Sequence, residues 1–283
     1  VSRGMIQEFG GDRIMDTPIA EQAYVGAGVG AAMCGMRPIV ELMFSDFMCV
    51  CFDELVNEAP KMRFMFGGKV KVPMVMRTAA GAGTGAAAQH SQSLEAWLTH
   101  VPGLKVVYPS CAQDALGLML AAIDDEDPVM YFEQKTLFGV KGEVTSLEPI
   151  PLGKGRVARP GSDLSIITYG KQVYDALEAA DKLAGEGVDV EVIDLRSLYP
   201  LDKELIGETI AKTHKAIVIT EEVKRGGYGG EISAIIGEEF FDYLDAPVIR
   251  IGALDTPVPF APNLEQYYIP NAQDILVAAK KMF

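Results

Sequence analysis

Residues 16–47 read DTPIAEQAYVGAGVGAAMCGMRPIVELMFSDF, and this stretch decides the fold class. Asp16, Thr17 and Pro18 are turn-forming residues, and they end a predicted strand with the sequence RIMDT. Glu21 then begins a predicted helix of small and apolar residues, after which RPIVELM has the apolar character of another strand. A strand, a helix and a strand in this order predict a βαβ unit and a parallel sheet.

The same alternation continues through the rest of the chain. In the first half, further strands are predicted at VPMVMRT, LKVVYP and PVMYF, and helices at 21–35, 46–65, 92–99 and 112–124. In the second half, strands are predicted at DLSIITY, DVEVIDL, KAIVIT and PVIRI, and a helix at 229–240. Residues 139–159 contain glycine and proline without a helical period, so we predict that they connect two α/β domains, 1–150 and 151–283.

The composition narrows the class of protein. With 49% hydrophobic and 23% charged residues in a chain of 283, the sequence is typical of a folded protein with a large core. The net charge of −14 argues against a nucleic-acid partner, because such a surface needs positive charge. No apolar run is long enough for a membrane span, and the opening VSRGMIQEFGGDR is too polar for a secretory signal. Since Cys34, Cys49, Cys51 and Cys111 form no CxxC pair, we expect reduced thiols and a cytoplasmic or similarly reducing compartment.

Two glycine clusters fit the form of a dinucleotide-binding fingerprint. They are GAGVGA at 26–31 and GAGTGA at 81–86. Neither is followed about twenty residues later by an acidic residue that ends a strand, as a ribose contact requires. The first cluster continues into AAMCG, so its small residues more simply predict a helix that packs closely against a sheet.

Three residues stand in positions that favour a site, although each also has an ordinary structural explanation. Glu21 begins a helix at the predicted carboxyl edge of a parallel sheet, but a first-turn carboxylate is also favoured by the helix dipole. His90 lies in a polar loop after a strand, unlike His100 and His214, which suit turns or the surface. Phe47 belongs to an aromatic and Met-rich helix, and such a stripe usually forms core or a subunit interface.

Acidic residues also follow the predicted helix 112–124. Asp125 and Asp127 lie in AAIDDEDPV, where carboxylates oppose the helix dipole and can simply be solvated. Alternatively, helix-end carbonyls and a carboxylate can bind a cation through oxygen ligands. The sequence favours solvation.

Several segments, taken in order, resemble the β subunits of the E1 components of 2-oxo acid and acetoin dehydrogenases. They are DTPIAE, GAAMCGMRPIVELMFSDF, FGGK, GAGTGAAAQHSQSLEAW and HVPGLKVVYPS in the first half, then DLRSLYPLD, GGYGGEI and LDAPVIRIGALDTPVPFAPNLE in the second. The resemblance covers essentially the whole chain; the family's usual opening helix and strand would precede VSRGM. It implies two three-layer α/β/α domains, a thiamine-diphosphate pyrimidine-binding domain and then a transketolase C-terminal-like domain.

The resemblance also implies roles for particular residues. Glu21 falls on the family's glutamate that activates the coenzyme by sharing a proton with N1′ of the aminopyrimidine ring. Phe47 falls on the aromatic residue that packs on this ring, and Ile19 and Met43 line the same pocket. His90 falls on the active-site histidine, which lines the channel for the lipoyl group. A potassium site found in some members falls on Ala122, Ile123, Asp125 and Asp127, where this chain is more acidic than the family pattern.

The resemblance further implies partners, because thiamine enzymes bind the diphosphate through Mg²⁺ with a GDG motif and a downstream Asn. The only GD in this sequence, Gly11-Asp12, continues into Arg and a predicted strand. The family therefore implies an E1 α subunit that holds Mg²⁺ and the diphosphate of a shared thiamine diphosphate, in an α₂β₂ heterotetramer. It also implies docking to the lipoyl and binding domains of an E2 acyltransferase.

The substrate and two rival classes remain open from sequence. The segments look most similar to acetoin dehydrogenase β subunits, then to those of pyruvate dehydrogenase, with branched-chain 2-oxo acid dehydrogenase third. A ferredoxin-linked oxidoreductase would need clustered cysteines for iron–sulfur centres, and the four here are not clustered. A non-catalytic scaffold subunit of the same fold would have no need of Glu21, Phe47 and His90.

Overall fold

The computed structural model describes residues 2–283, which form two α/β units, each built on a five-stranded sheet. Within these residues the strands are β1 (Ile39–Leu42), β2 (Val75–Ala80), β3 (Lys105–Val107), β4 (Val129–Gln134), β5 (Arg156–Arg159), β6 (Leu164–Thr168), β7 (Val190–Asp194), β8 (Ser197–Tyr199), β9 (Ala216–Val223) and β10 (Ile249–Ala253). The α-helices are α1 (Met5–Phe9), α2 (Glu21–Met33), α3 (Met62–Met65), α4 (Glu95–Thr99), α5 (Ala112–Asp124), α6 (Gln172–Gly185), α7 (Lys203–Thr213), α8 (Tyr228–Glu239), α9 (Pro262–Tyr268) and α10 (Ala272–Ala279). Short 3-10 helices occupy Ser45–Cys51, Lys135–Leu137 and Phe241–Tyr243, and a π-helix occupies Glu54–Glu58.

The first sheet has the strand order β1-β2-β4-β3-β8, in which the first four strands are parallel. Alternate residues of its strands face opposite sides, as strand geometry requires. Val75 and Val129 pack with Leu118 of α5, whereas Met76 and Met130 belong to the core that contains α2 and α4. The sheet therefore lies between two helical layers, which confirms the predicted α/β/α architecture.

The second sheet has the order β10-β9-β6-β7-β5, with β5 antiparallel to β7 and the other pairs parallel. Ile166 of β6 faces α6 and α10, while the next residue, Ile167, faces α7 and α8. This unit is also a three-layer sandwich. Its four predicted strands and the predicted helix at 229–240 correspond to β6, β7, β9, β10 and α8.

Helix α2 packs against the first sheet at a glycine. A Cβ added to Gly28 would lie 2.5 Å from Cγ2 of Val40 and 3.2 Å from Sδ of Met74, closer than side chains can approach. Gly30, two residues later, faces open space. The small residues of 26–31 therefore serve close helix–sheet packing, as the sequence predicted, and lie inside a helix instead of opening one.

The predicted strand RIMDT is wrong. Residues 13 and 14 form a turn and a bend, residues 15–17 have no regular structure, and no strand among residues 2–283 pairs with them. Met15 is 75% exposed, so this segment also lacks the buried face that stabilises a strand. The helix predicted immediately after it does begin at Glu21, as expected.

The continuous helix predicted at 46–65 is also wrong. The chain instead forms the 3-10 helix Ser45–Cys51, the π-helix Glu54–Glu58 and then α3. Pro60 lies between the π-helix and α3, and proline lacks the N–H that an α-helix interior needs. Phe47 is consequently carried by a tight 3-10 helix directly after β1.

The two units share structure across their boundary. Strand β8 comes from the second half of the chain but pairs antiparallel with β3 of the first sheet, an arrangement that the sequence did not predict. Residues 143–149 have neither helix nor strand, and the proposed division near residue 150 lies at the end of this segment. Charged contacts strengthen the junction: Asp114 of α5 accepts hydrogen bonds from Arg156 and Arg196, each at 3.1 Å.

We expect Gly28→Ala to lower the free energy of unfolding by about 1–3 kcal/mol, because the added methyl group overpacks the contact with Val40. The matched control is Gly30→Ala, which should raise stability by up to about 1 kcal/mol because alanine favours helix and the position is open. Chemical unfolding followed by circular dichroism measures both. Equal effects of the two substitutions would show that α2 does not depend on close packing at Gly28.

Candidate functional site

An aromatic and histidine cluster forms where the first sheet ends. Phe44 follows β1, and Phe47 lies in the next 3-10 helix. The ring of His90 contacts both edge-on, with centroid distances of 4.9 Å to Phe44 and 5.2 Å to Phe47. All three are partly exposed, so the cluster has a surface that a ligand can reach. The structure thus brings together two residues, Phe47 and His90, that lie 43 positions apart in sequence.

Glu21 is the first residue of α2, and this helix packs against the 3-10 helix that carries Phe47. Burial, reinforced by the nearby Glu21 carboxylate, raises the pKa of Tyr24 to about 12. Burial, then Glu54 and Glu21, raises the pKa of Cys51 to about 12. The Glu21 residue is partly exposed, and its carboxylate is close enough to the Tyr24 hydroxyl and the Cys51 thiol to contribute to the raised pKa of each.

Ile19 and Met43, the other residues predicted to line the pocket, are on the surface. Their exposed fractions are 79% and 61%. Residues 2–283 leave these two large apolar side chains uncovered, and both lie close in sequence to Glu21 or Phe44. We refer to Ile19 and Met43 together as the apolar rim.

His90 is carried by the loop 81–92, whose two ends meet. The Gly81 N–H donates to the Gln92 carbonyl at 3.2 Å, and Asp46 accepts from the Gln92 backbone and side chain at 3.1 and 2.9 Å. Gly81 and Gly83 have φ of 88° and 98°, a left-handed conformation that favours glycine. No helix begins until Glu95, so the GAGTGA cluster is not the strand–turn–helix of a dinucleotide site.

Two glutamates of the second unit hold this loop. Glu221, at the end of β9, accepts from the Ala82 N–H at 2.6 Å and from the Gln134 amide at 2.8 Å. Glu265, on α9, accepts from the Gly83 and Gly85 N–H groups at 2.8 and 3.0 Å. Neither glutamate was singled out in the sequence, because the backbone N–H groups that they bind lie more than a hundred residues away.

Lys135 is a further residue that the sequence reasoning missed. It follows β4, its ammonium group donates to the His90 carbonyl, and it lies 5.3 Å from the centre of the Phe44 ring. Burial lowers the pKa of this lysine. Its position directly after a strand of a parallel sheet was the signal that could have identified it.

Three of the four residues predicted for potassium have cationic partners within the chain. The four residues are Ala122, Ile123, Asp125 and Asp127. The guanidinium of Arg37 donates to the carbonyls of Ile123 and Asp125, both at 2.8 Å. The carboxylate of Asp125 pairs with Lys105 at 2.5 Å, and that of Asp127 with Arg63 at 2.7 Å. This arrangement does not fit a potassium ion unless Arg37 moves, so potassium here stays a prediction.

Among residues 2–283, no group of three or more His, Cys, Asp or Glu side chains is arranged to hold a metal ion. No helix in the same range is long and apolar enough to cross a bilayer. The cavity of about 1080 Å³ between the two units is lined by residues such as Trp97, Tyr199 and Arg250 and by none of the predicted site residues.

Other buried carboxyl groups lie near Glu221, which holds the loop 81–92. Burial raises the pKa of Glu95 to about 8, and it raises the pKa of Glu221 and of Glu222 to about 7. The Tyr169 hydroxyl donates to Glu95 at 2.9 Å. The contact between the two units therefore contains buried carboxyl groups whose pKa is raised by burial and which are hydrogen-bonded to their surroundings.

Comparison with known protein families assigns both halves of the chain. The family described as "Transketolase, pyrimidine binding domain" matches residues 1–141, and "Transketolase, C-terminal domain" matches residues 153–275. A solved structure described as "Split gene transketolase, inactive beta4 tetramer" has a TM-score of 0.82 and 26% identity, covering 99% of this chain and 87% of that one. These matches agree with the observed pair of α/β sandwiches.

Two similar proteins cover almost the whole chain. The beta subunit of acetoin:2,6-dichlorophenolindophenol oxidoreductase from Bacillus subtilis (strain 168) is 50% identical over 277 residues, which are 98% of this chain and 81% of that protein. The beta subunit of the pyruvate dehydrogenase E1 component from Rickettsia felis is 44% identical over 283 residues, 100% of this chain and 87% of that protein.

We expect the free energy of unfolding to fall as pH rises from 5 to 8, because the buried Glu95, Glu221 and Glu222 keep protons that the unfolded chain has already lost. Glu221→Gln should reduce this fall by about 2–3 kcal/mol, at about 1.4 kcal/mol per pKa unit. Urea unfolding across this pH range measures the slope. The control is Glu186→Gln, on the surface after α6; a slope unchanged by Glu221→Gln would contradict the assignment.

Proposed function

This chain belongs to the family of E1 β subunits of thiamine-diphosphate-dependent 2-oxo acid and acetoin dehydrogenases, and from that premise we propose that it cleaves acetoin or pyruvate together with an α subunit. In the proposed reaction the acyl group passes to the lipoyl group of an E2 acyltransferase. The observation that carries the proposal is the contact of His90 with Phe44 and Phe47, beside the helix that begins at Glu21.

The residues of this cluster fit the pyrimidine end of thiamine diphosphate. An aromatic face and a carboxyl group are the two features that an aminopyrimidine ring needs, and Phe47 and Glu21 supply them. When bound, thiamine diphosphate supplies the carbon nucleophile and the electron sink for cleavage. Glu21 would hold a proton at N1′ of the ring, as a general acid–base group for the coenzyme. Ile19 and Met43 would cover the ring from the surface.

The diphosphate end has no counterpart in this chain. The sequence contains no GDG motif, and among residues 2–283 no acidic or histidine cluster is arranged for a metal ion. We therefore assign Mg²⁺ and the diphosphate to the α subunit, in an α₂β₂ heterotetramer. The apolar rim of Ile19 and Met43 supports this assignment, because such exposed apolar surface is typical of a partner interface.

His90 is assigned to the second half-reaction. Its imidazole can donate or accept a proton near neutral pH, and its partly exposed position suits contact with the lipoyl group. The net charge of −14 supports docking of a basic E2 module, since complementary charge steers association. A cytoplasmic location agrees with the four free cysteines, but the compartment remains part of the proposal.

Acetoin is the substrate that we favour, with pyruvate second and branched-chain 2-oxo acids third. The identity of 50% to the acetoin enzyme exceeds the 44% to the pyruvate enzyme. A non-catalytic scaffold subunit is the alternative class. The presence of Glu21, Phe47 and His90 in one region favours the enzyme.

We expect Glu21→Gln to lower activity of the reconstituted enzyme by well over tenfold while leaving unfolding and assembly unchanged, because an amide cannot share a proton with N1′. Steady-state turnover with an artificial electron acceptor measures the loss. Glu148→Gln, an exposed residue between the two units, is the charge-matched control. A loss below tenfold, about 1.4 kcal/mol of barrier, would refute the relay.

We also expect tight binding of thiamine diphosphate and Mg²⁺ only when the chain is combined with its α subunit, since this chain offers the pyrimidine end alone. Isothermal calorimetry on the chain, the α subunit and their complex measures it. Turnover of the complex on acetoin, pyruvate and 2-oxoisovalerate then ranks the substrates. Substrate turnover by this chain without a partner would disprove the shared site.

A further inference from the structure

We propose that Glu265 is a positioning residue for His90: its carboxylate, from the second unit, fixes the backbone of the loop 81–92 and so sets where the imidazole stands for acyl transfer. The inference rests on the proposed function for the role of His90. The contact between Glu265 and the loop is independent of that role.

The first step is the geometry of the Glu265 carboxylate. Each of its oxygens accepts one backbone N–H, Gly83 at 2.8 Å and Gly85 at 3.0 Å. The side chain is only 4% exposed, so these two donors replace water as its partners. Hydrogen bonds to an ionised acceptor are about twice as strong as neutral ones, and a bidentate pair also fixes orientation.

The second step is that Ala82, directly before Gly83 in the loop, is also held by the second unit. Glu221 accepts from the Ala82 N–H at 2.6 Å, and the Ala82 methyl group packs with Ala253, Val258 and Tyr268. The backbone N–H groups of Ala82, Gly83 and Gly85 therefore all donate to carboxylates of the second unit. The sheet from which the loop emerges belongs to the first unit.

The third step is that the other side of the loop, which carries His90, has anchors on the first unit. The His90 carbonyl accepts from Lys135, and Gln92 is bound by Asp46. His90 thus stands near the end of a loop with one side fixed to each unit. A loop with glycines at φ of 88°, 98° and 68° is conformationally permissive and needs such anchors to hold one shape.

The fourth step is what a neutral side chain would do at this position. Glutamine has one carbonyl oxygen, and its amide group would face the second N–H as donor against donor. One of the two backbone donors would lose its protein partner, a change that loosens the loop without adding bulk. The hydrogen bonds of the Glu265 carboxylate go to the loop that carries His90, so we expect its effect on catalysis to pass through His90.

The test uses the complex reconstituted with the α subunit, thiamine diphosphate and Mg²⁺, and compares two reactions. Reduction of 2,6-dichlorophenolindophenol reports cleavage without a lipoyl group, and reductive acylation of a free lipoyl domain reports the step assigned to His90. For Glu265→Gln we expect dye reduction within threefold of wild type and acylation reduced at least tenfold. Glu186→Gln, an exposed glutamate after α6, should change neither reaction.

A double-substitution cycle separates positioning from general support of the fold. In a His90→Ala background, Glu265→Gln should cause no further loss of acylation, because its route to the reaction is already removed. Parallel loss of both reactions, loss of neither, or multiplied losses in the double variant would overturn the inference. If Glu265→Gln does not fold, Glu265→Asp, which keeps the charge but shortens the reach, carries the same test with a smaller expected loss.

Amide hydrogen exchange distinguishes failure of the inference from failure of the proposed function. Glu265→Gln should speed exchange at residues 82–90 relative to Glu186→Gln, whatever reaction the enzyme performs. If the wild-type complex acylates no lipoyl domain but Glu265→Gln still speeds exchange, the proposed function is wrong and the role of Glu265 in holding the loop is supported. Unchanged exchange would remove the anchor itself.

Discussion

The approach of α2 to the first sheet at Gly28 is the contact on which the candidate site depends. With no side chain at this position, the helix axis lies close enough for Val40 and Met74 to touch the backbone. That spacing fixes the start of α2, where Glu21 stands, relative to the end of β1 and the 3-10 helix that carries Phe47. A helix held one side-chain radius further out would carry the carboxyl group away from the aromatic ring.

Much of the fold could be predicted from sequence because the strands of parallel sheets are apolar runs separated by helices. The prediction failed where a strand depends on its partner rather than on its own residues. RIMDT has the composition of a strand but nothing to pair with, and SLY at β8 is too short to stand out yet pairs with β3. Pro60 is a local signal in the sequence, and it accounts for the break between the π-helix Glu54–Glu58 and α3.

The residues of the candidate site also differ in whether their signal is local in the sequence or depends on a distant partner. Glu21, Phe47 and His90 could be selected because they lie beside turns and strand ends and match a family pattern. Glu221 and Glu265 could not, since they act on backbone atoms 139 and 182 positions away in sequence, and a glycine loop gives no sign of what binds its N–H groups. Lys135 falls between the two cases: its place after β4 is visible in the sequence, but its hydrogen bond to the His90 carbonyl is not.

Strand β8 makes the two halves of the chain depend on each other, although each half contains its own three-layer sandwich. A gene fragment that stops near residue 150 would encode β1 to β4 but leave the outer side of β3 without the strand that normally caps it. Such an open edge invites pairing with other chains. Recombination that exchanges one half of this protein for a homologous half must therefore preserve the two residue pairs Val106–Tyr199 and Val107–Ser197, which ties the evolution of each half to the other.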